Sequence, residues 1–300
     1  MNSKEDGYII LENERLRIKV ACCPHATYNS SRFDWTGFVT DILFDGKIQF
    51  AGVESENPAD PMANGVGLCN EFRVPDYAAA TPYGKQFLKP GIGLLDQREE
   101  AQDWKFNHRY NITPFPITVQ HGKDWIQYQT EGAEWNGIHL NEYKVLRLVG
   151  NSIAETITLD NLGDQPFHCV DYNHNFLTIN HEPFGPDYEI EVPCYSEDVL
   201  KESITMGNLI VKDGKYTWDG PCDPEVRTMT RIGLVSSDTY VWGMYNRNAG
   251  AGIREYVEIP HQEFCIWAAP FVCTCKVLAP IEIAPHGSMT WTRRWEFVRI

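Results

Sequence analysis

Apolar residues recur at every second position over long stretches of this chain. Leu16, Ile18 and Val20 alternate with Arg15, Arg17 and Lys19, which sorts one strand into an apolar and a charged face. Ile153, Ile157 and Leu159 oppose Ala154, Thr156 and Thr158 as far as the turn-forming run Asp160-Asn161-Leu162-Gly163-Asp164. Further on, Met289, Trp291, Trp295 and Phe297 share one side of a strand, and Thr290, Thr292, Arg294 and Glu296 share the other. Reversals are predicted at Asp45-Gly46, His121-Gly122, Lys212-Asp213-Gly214 and Pro285-His286-Gly287, where Gly and Asp tolerate the backbone angles of tight turns. Only residues 96–104 and 196–209 carry the polar cap and weak amphipathic pattern of a short helix. The pattern predicts an all-β chain whose broad antiparallel sheets bury their apolar faces against each other, a large β sandwich. No linker, low-complexity run or internal repeat divides it, so one domain over residues 1–300 is expected.

Composition narrows the partners. The 300 residues hold 41 Asp and Glu against 26 Lys and Arg, a formal charge of −15, and 43% of them are hydrophobic. Such a chain is globular, and its charge makes nucleic acid and anionic membrane poor partners. No run approaches the roughly 20 apolar residues that span a bilayer. The polar, acidic start does not read as a signal peptide. The expectation is a cytoplasmic protein, or a periplasmic one if a leader has been removed. The nine cysteines are read as mostly reduced and buried. A zinc site from Cys22, Cys23, His25, Cys273 and Cys275 lacks any paired C-x-x-C spacing and ranks well below ordinary thiols. Asn29 and Asn111 open N-x-S/T triplets, relevant only to a secreted chain.

The densest polar segment is His168-Cys169-Val170-Asp171-Tyr172-Asn173-His174. On an extended strand His168 and His174 share a face and Asp171 points the other way, which argues against a metal site here. His174 is either a packed core residue or a proton-transferring imidazole, and the second role requires a carboxylate across a pocket. Glu71, Glu255, Glu258 and Glu263 are the carboxylates weighed for it, with Glu263 the sharpest because it shares strand parity with Cys265 and Trp267. Arg32, His108 and Arg109 offer donors for sugar hydroxyls, against a plain reading as surface salt bridges. Gly65-Val66-Gly67 and Gly91-Ile92-Gly93 do not form the dinucleotide fingerprint, and the nucleophile-elbow, H-E-x-x-H and phosphate-loop motifs are absent from the sequence. Neither cofactor nor metal is expected. The nine tryptophans supply material for stacking on sugar rings, although for any single one a core role is the default.

Three segments in order carry a resemblance: YKVLRLVGNSIAETITLDNLGDQPFHCVDYNHNFLTI, then EFCIWAAPF, then PIEIAPHGSMTWTRRWEF, with ENERLRIKV upstream. Together they resemble the galactose mutarotase-like, or aldose 1-epimerase, superfamily. The resemblance implies a large antiparallel sandwich, a supersandwich, whose open face binds a mono- or small oligosaccharide. It also implies a cofactor-free reaction in which a histidine protonates the ring oxygen and a glutamate takes the anomeric proton. His174 falls on the family's catalytic histidine, and His108 with Arg109 on an earlier sugar-contacting position. Where the family carries a late glutamate this chain has Ala268 and Ala269, so the base falls to Glu263, Glu258 or Glu71. His174 and Glu263 are thus the catalytic candidates, and Arg32, Glu71, His108, Arg109 and Asp171 the substrate-contacting ones. Two other functions compete: a noncatalytic carbohydrate-binding domain, and a polysaccharide lyase or glycosidase, the latter marked by carboxylates about 5 to 9 Å apart.

Overall fold

A computed structural model describes residues 4–5, 7–21, 30–57, 65–98, 105–106, 108–193, 202–234, 239–261 and 263–300. The period-two pattern becomes strand throughout. Leu16–Ala21 buries Leu16, Ile18 and Val20 and leaves Arg17 and Lys19 half-exposed. Ser152–Asn161 pairs antiparallel with Ser288–Arg299, where Thr156 and Thr158 meet Thr292 and Thr290 hydroxyl to hydroxyl at 3.2 and 2.8 Å. Asp45-Gly46 and Asp213-Gly214 turn with both residues at positive φ (51° and 64°; 51° and 74°), and Asp213-Gly214 closes a two-residue hairpin between Lys212 and Lys215, the geometry that matches strand twist.

Among the described residues Gln86–Lys89, Gly93–Asp96 and Ile112–Pro114 make a separate three-stranded sheet, and most other strands form two layers. One is a ten-stranded sheet in which Leu140–Val149, Ser152–Asn161, Ser288–Arg299, Ala251–Val257 and Tyr240–Asn246 lie side by side. The other joins two sheets. A seven-stranded sheet runs through Glu202–Thr205, Thr228–Gly233, Glu263–Ala269, Val272–Ile283, Phe167–Asn173 and Asn70–Arg73 in that order. A five-stranded sheet containing Leu16–Ala21 and Val39–Phe44 continues it through single bridges Val39–Leu68, Gly67–Phe176 and Ala51–Leu177. Gly67, at φ +54°, sits at this join, where a Cβ would collide with the Val39 carbonyl oxygen.

Aromatic rings fill the space between the layers. Phe72 meets Trp291 at 6.4 Å between centroids, Trp242 meets Phe264 at 6.5 Å, and Phe50 meets Phe297 at 4.8 Å. Charges are buried in the same space. Arg293, fully enclosed, donates to Asp171 at 2.7 Å and to Glu255 at 3.1 Å, while Lys144 pairs with Asp34 and, at 3.3 Å, with Glu142. Asn173 donates to Glu155 at 3.2 Å. Every one of these ions has a partner, as the cost of desolvation demands.

Helix differs from expectation. Among the described residues the helix is Pro75–Ala80, which starts on a proline at its first turn and runs into three alanines, a favourable start and composition in a segment too short to show periodicity. Residues 202–205 and 209–212 are strands, because Leu209–Lys212 pairs with Lys215–Trp218 across the Asp213-Gly214 turn and tertiary pairing overrides weak helical amphipathicity. Gly93–Asp96 is a strand as well. Residues 99–104 and 194–201, with Trp104, Cys22, Cys23, His25 and Asn29, lie outside the described residues. The described cysteines Cys69, Cys169, Cys222, Cys265, Cys273 and Cys275 are buried free thiols. Among the described residues no helix is long and apolar enough to cross a membrane.

Candidate active site

The seven-stranded sheet turns its second face away from the sandwich interior, and strand alternation decides what that face presents. Asn70, Phe72, Asp171, Asn173, Cys275 and Val277 point inward and are buried. Their neighbours Glu71, Arg73, Tyr172, His174, Lys276 and Leu278 point outward and line a cavity of about 410 Å³. Met229, Arg231, Cys265, Trp267 and Thr274 extend the floor, while Arg32, Glu54, Phe106 and Phe176 form the remaining walls. The volume lies within the range of about 300–1,000 Å³ usual for small-molecule sites.

His174 and Glu71 meet at the edge of this cavity. Their Cα atoms come from neighbouring strands, since Tyr172 is in register with Glu71 and the His174 amide donates to the Cys69 carbonyl at 2.9 Å. Nε2 of His174 lies 2.9 Å from Oε2 of Glu71. The ring is only 3% exposed, stacked on Phe176 at 5.2 Å and edged by Phe33 at 4.8 Å. Burial, with the Arg32 charge, pushes the imidazole pKa down to about 3 against the pull of Glu71. For Glu71 burial acts upward, yet Lys89, the His174 hydrogen bond and Arg32 together hold it at about 2. Lys89 Nζ stands 3.8 Å from Glu71 Oε1 and donates to the Phe72 carbonyl at 2.7 Å. Burial brings that ammonium down to about 8. At neutral pH the pair is therefore a carboxylate and a neutral imidazole whose Nε2–H donates to it, which leaves Nδ1 as the basic nitrogen.

A second carboxylate sits beside the first. Arg32 Nη1 donates to Glu54 Oε2 at 2.5 Å, its Nε lies 4.0 Å from Glu71 Oε2, and its guanidinium stacks over Phe33 and Phe106 at 4.6 and 4.9 Å. Burial raises the Glu54 pKa despite Arg32. Gly65 makes room for this arrangement, because a Cβ there would collide with the Glu54 carboxylate and lie 2.6 Å from the Phe176 ring. Burial and the neighbouring cations thus push the two carboxyls of one cavity in opposite directions.

Of the residues picked out from the sequence, the structure brings Arg32, Glu71 and His174 together at the cavity. The structure places the other candidates elsewhere. Asp171 is no substrate contact: alternation turns it to the interior, where Arg293 and Asn70 hold its carboxylate at 2.7 and 2.6 Å. Glu263 shares the face of Cys265 and Trp267 but stands outside the lining residues, with Arg231 Nε 3.4 Å from its carboxylate. His108 and Arg109 are not among the lining residues; the neighbouring Phe106 reaches the cavity instead, and the Arg109 carbonyl accepts from Arg98. Glu258 is exposed just past Ala251–Val257. The histidine and glutamate were expected on opposite sides of a pocket, and are in direct contact. Glu54, Arg231 and Lys276 were not foreseen. Lys276 did carry a signal, a lone cation in the apolar run Val272–Ala279, in phase with Thr274.

No protein-family model and no curated protein matches the sequence. Solved structures do match over nearly the whole chain. A galactose mutarotase-like protein from Clostridium acetobutylicum superposes with a TM-score of 0.62 at 8% identity, covering 100% of this chain and 98% of the other. A putative aldose 1-epimerase from Klebsiella pneumoniae gives 0.61 at 13%, covering 100% and 82%. One from Escherichia coli K12 gives 0.59 at 11%, covering 98% and 99%. The two packed antiparallel layers define a β sandwich with an outward-facing cavity on one of its sheets. The fold of this chain is the galactose mutarotase-like sandwich.

Proposed function

We propose that this protein interconverts the anomers of a free aldose or sugar acid by acid–base ring opening, as an aldose 1-epimerase-like enzyme. The observation that carries the reading is the 2.9 Å contact between His174 and Glu71 at the edge of a sugar-sized cavity. Nδ1 of the neutral imidazole takes the proton of the anomeric hydroxyl as the C1–ring oxygen bond breaks, and Glu71 stabilises the imidazolium that forms. The ring oxygen receives a proton from Glu54, whose pKa burial raises against the opposing pull of Arg32. The open-chain aldehyde rotates about its C1–C2 bond. Closure on the opposite carbonyl face returns both protons, so nothing is consumed. Trp267 and Phe106 offer apolar surface for the faces of the sugar ring.

A test is the rate of anomer exchange in freshly dissolved aldoses and uronic acids, followed by NMR with wild type and with Glu54→Gln. Acceleration by wild type that falls about 10²-fold in the variant supports the assignment. Equal rates contradict it.

One observation favours a second reading, a noncatalytic sugar-binding protein: Trp267 occupies the cavity face of the late strand, and the only carboxylate on that strand, Glu263, is engaged by Arg231. Saturable sugar binding with no effect on exchange would select it.

A further inference from the structure

Four cationic side chains line the cavity, Arg32, Arg73, Arg231 and Lys276, against two carboxylates, Glu54 and Glu71. This excess of positive charge stands in a chain whose net charge is −15. Arg32 is engaged by Glu54. Arg231 is paired with Glu263 beyond the cavity lining, the nitrogen and oxygen 3.4 Å apart and both side chains partly exposed. Neither Arg73 nor Lys276 ion-pairs with a carboxylate among the described residues.

Strand register fixes where these cations stand. Arg231 is paired with Cys265, and Cys265 with Lys276, so the two cations flank one residue on three adjacent strands of the floor. Two strand spacings separate them, roughly 10 Å between backbones. Between them is a buried thiol whose pKa burial raises, so it carries no charge to offset theirs at neutral pH. Arg73 follows Glu71 by two residues on the same face of Asn70–Arg73. Lys276 lines the same cavity as Glu54 and His174, and its charge acts to lower the pKa of both.

A neutral sugar offers hydroxyls, which amide and hydroxyl groups bind without the cost of holding cations in a half-enclosed site. Such a cavity is matched by a ligand that brings its own negative charge, and a guanidinium and an ammonium together suit carboxylate or phosphate oxygens.

We infer that the substrate is an aldose bearing an anionic group, a carboxylate or a phosphate, which Lys276, Arg231 and Arg73 hold while the anomeric end faces His174 and Glu71. This rests on the sugar-directed reading above and narrows it to charged sugars. It also reconciles the acidic chain with an anionic ligand: the repulsive field of the whole protein is reversed locally at the cavity floor.

The test is calorimetric titration of the full chain with D-glucose, D-glucuronate and D-glucose 6-phosphate, and with D-galactose and D-galacturonate, at low and high ionic strength. In parallel, NMR measures anomer exchange of the same compounds. At least one anionic sugar is expected to bind ten-fold or more tightly than its neutral parent, with the advantage shrinking in high salt. The carboxylate and phosphate arms decide which group is held. Lys276→Met and Arg73→Gln, checked for unchanged melting, should each reduce the ratio of anionic to neutral affinity about ten-fold. Equal affinity for neutral and charged sugars, no binding of any anionic probe, or a ratio unmoved by both substitutions overturns the inference. Exchange that is as fast for neutral sugars overturns it while leaving the epimerase reading intact. Selective anionic binding without exchange does the reverse.

Discussion

Glu71, on strand Asn70–Arg73, and His174, just past the adjacent strand Phe167–Asn173, meet carboxylate to Nε2 at 2.9 Å, with Lys89 behind the carboxylate at 3.8 Å. The contact fixes the imidazole tautomer and so decides which nitrogen is basic. Glu71→Gln keeps the shape but removes the charge that would stabilise an imidazolium. Anomer exchange is expected to fall about 10²-fold with the fold retained, as measured by NMR exchange and circular dichroism on the same sample. Unchanged exchange would remove Glu71 from the reaction.

The depressed pKa of His174 has a signature in pH. A folded-state value of about 3 lies below the ordinary 6.5 of imidazole. The neutral ring therefore persists through mildly acidic solution, and the exchange rate should show no imidazole inflection between about pH 5 and 7. Stability carries the same sign: the unfolded chain takes up a proton below 6.5 while the folded one declines it until about 3, so this contribution is complete above 6.5 and is lost as pH falls. NMR titration of the His174 ring in the native protein checks both. A midpoint near 6.5 contradicts them.

Glu155 behaves in the opposite sense. Burial, opposed by Lys144 and Arg293 and reinforced by Asp171 and Asp34, raises its carboxyl to about 7 from an ordinary 4.5. Its contribution is complete below 4.5 and is lost as pH rises through 7, a change on the order of 3 kcal/mol. Glu155→Gln should gain stability over wild type in denaturant melts at pH 8.5 and gain little at pH 5. An equal difference at both pH values refutes this.

Arg293 is the hinge of the buried ion cluster. Arg293→Met leaves Asp171 and Glu255 without their shared cation, and removal of one partner from such a cluster costs about 3–5 kcal/mol. Urea denaturation should show a loss of that size. A loss under about 1 kcal/mol would mean the cluster tolerates the vacancy through protonation.

Much of the fold could be read from alternation, because one face of each strand is buried and a period of two follows directly. The same rule placed His168 and His174 on one face and Asp171 on the other, and His168 is indeed exposed while Asp171 is buried. It could not say which face carried the site. Strand Ser288–Arg299 shows the limit: Arg293 has the parity of Trp291 and Trp295 and is just as buried, a position that only its partners on other strands explain. Glu263 was chosen on parity alone, and parity does not show how far along a strand the cavity extends. The Glu71–His174 contact spans 103 residues of sequence, a separation that strand parity does not bridge. Glu54 left no signal, as its place depends on Arg32 and on the space at Gly65.

The central claim is that His174, held by Glu71, moves a proton on a sugar. NMR saturation transfer between the α and β anomers of neutral and anionic aldoses, with wild type and with His174→Ala at matched fold, measures this directly. Wild type is expected to speed exchange of at least one sugar and the variant to lose that effect by about 10²-fold or more. Exchange at the uncatalysed rate with every sugar, or an equal rate from the variant, contradicts the account.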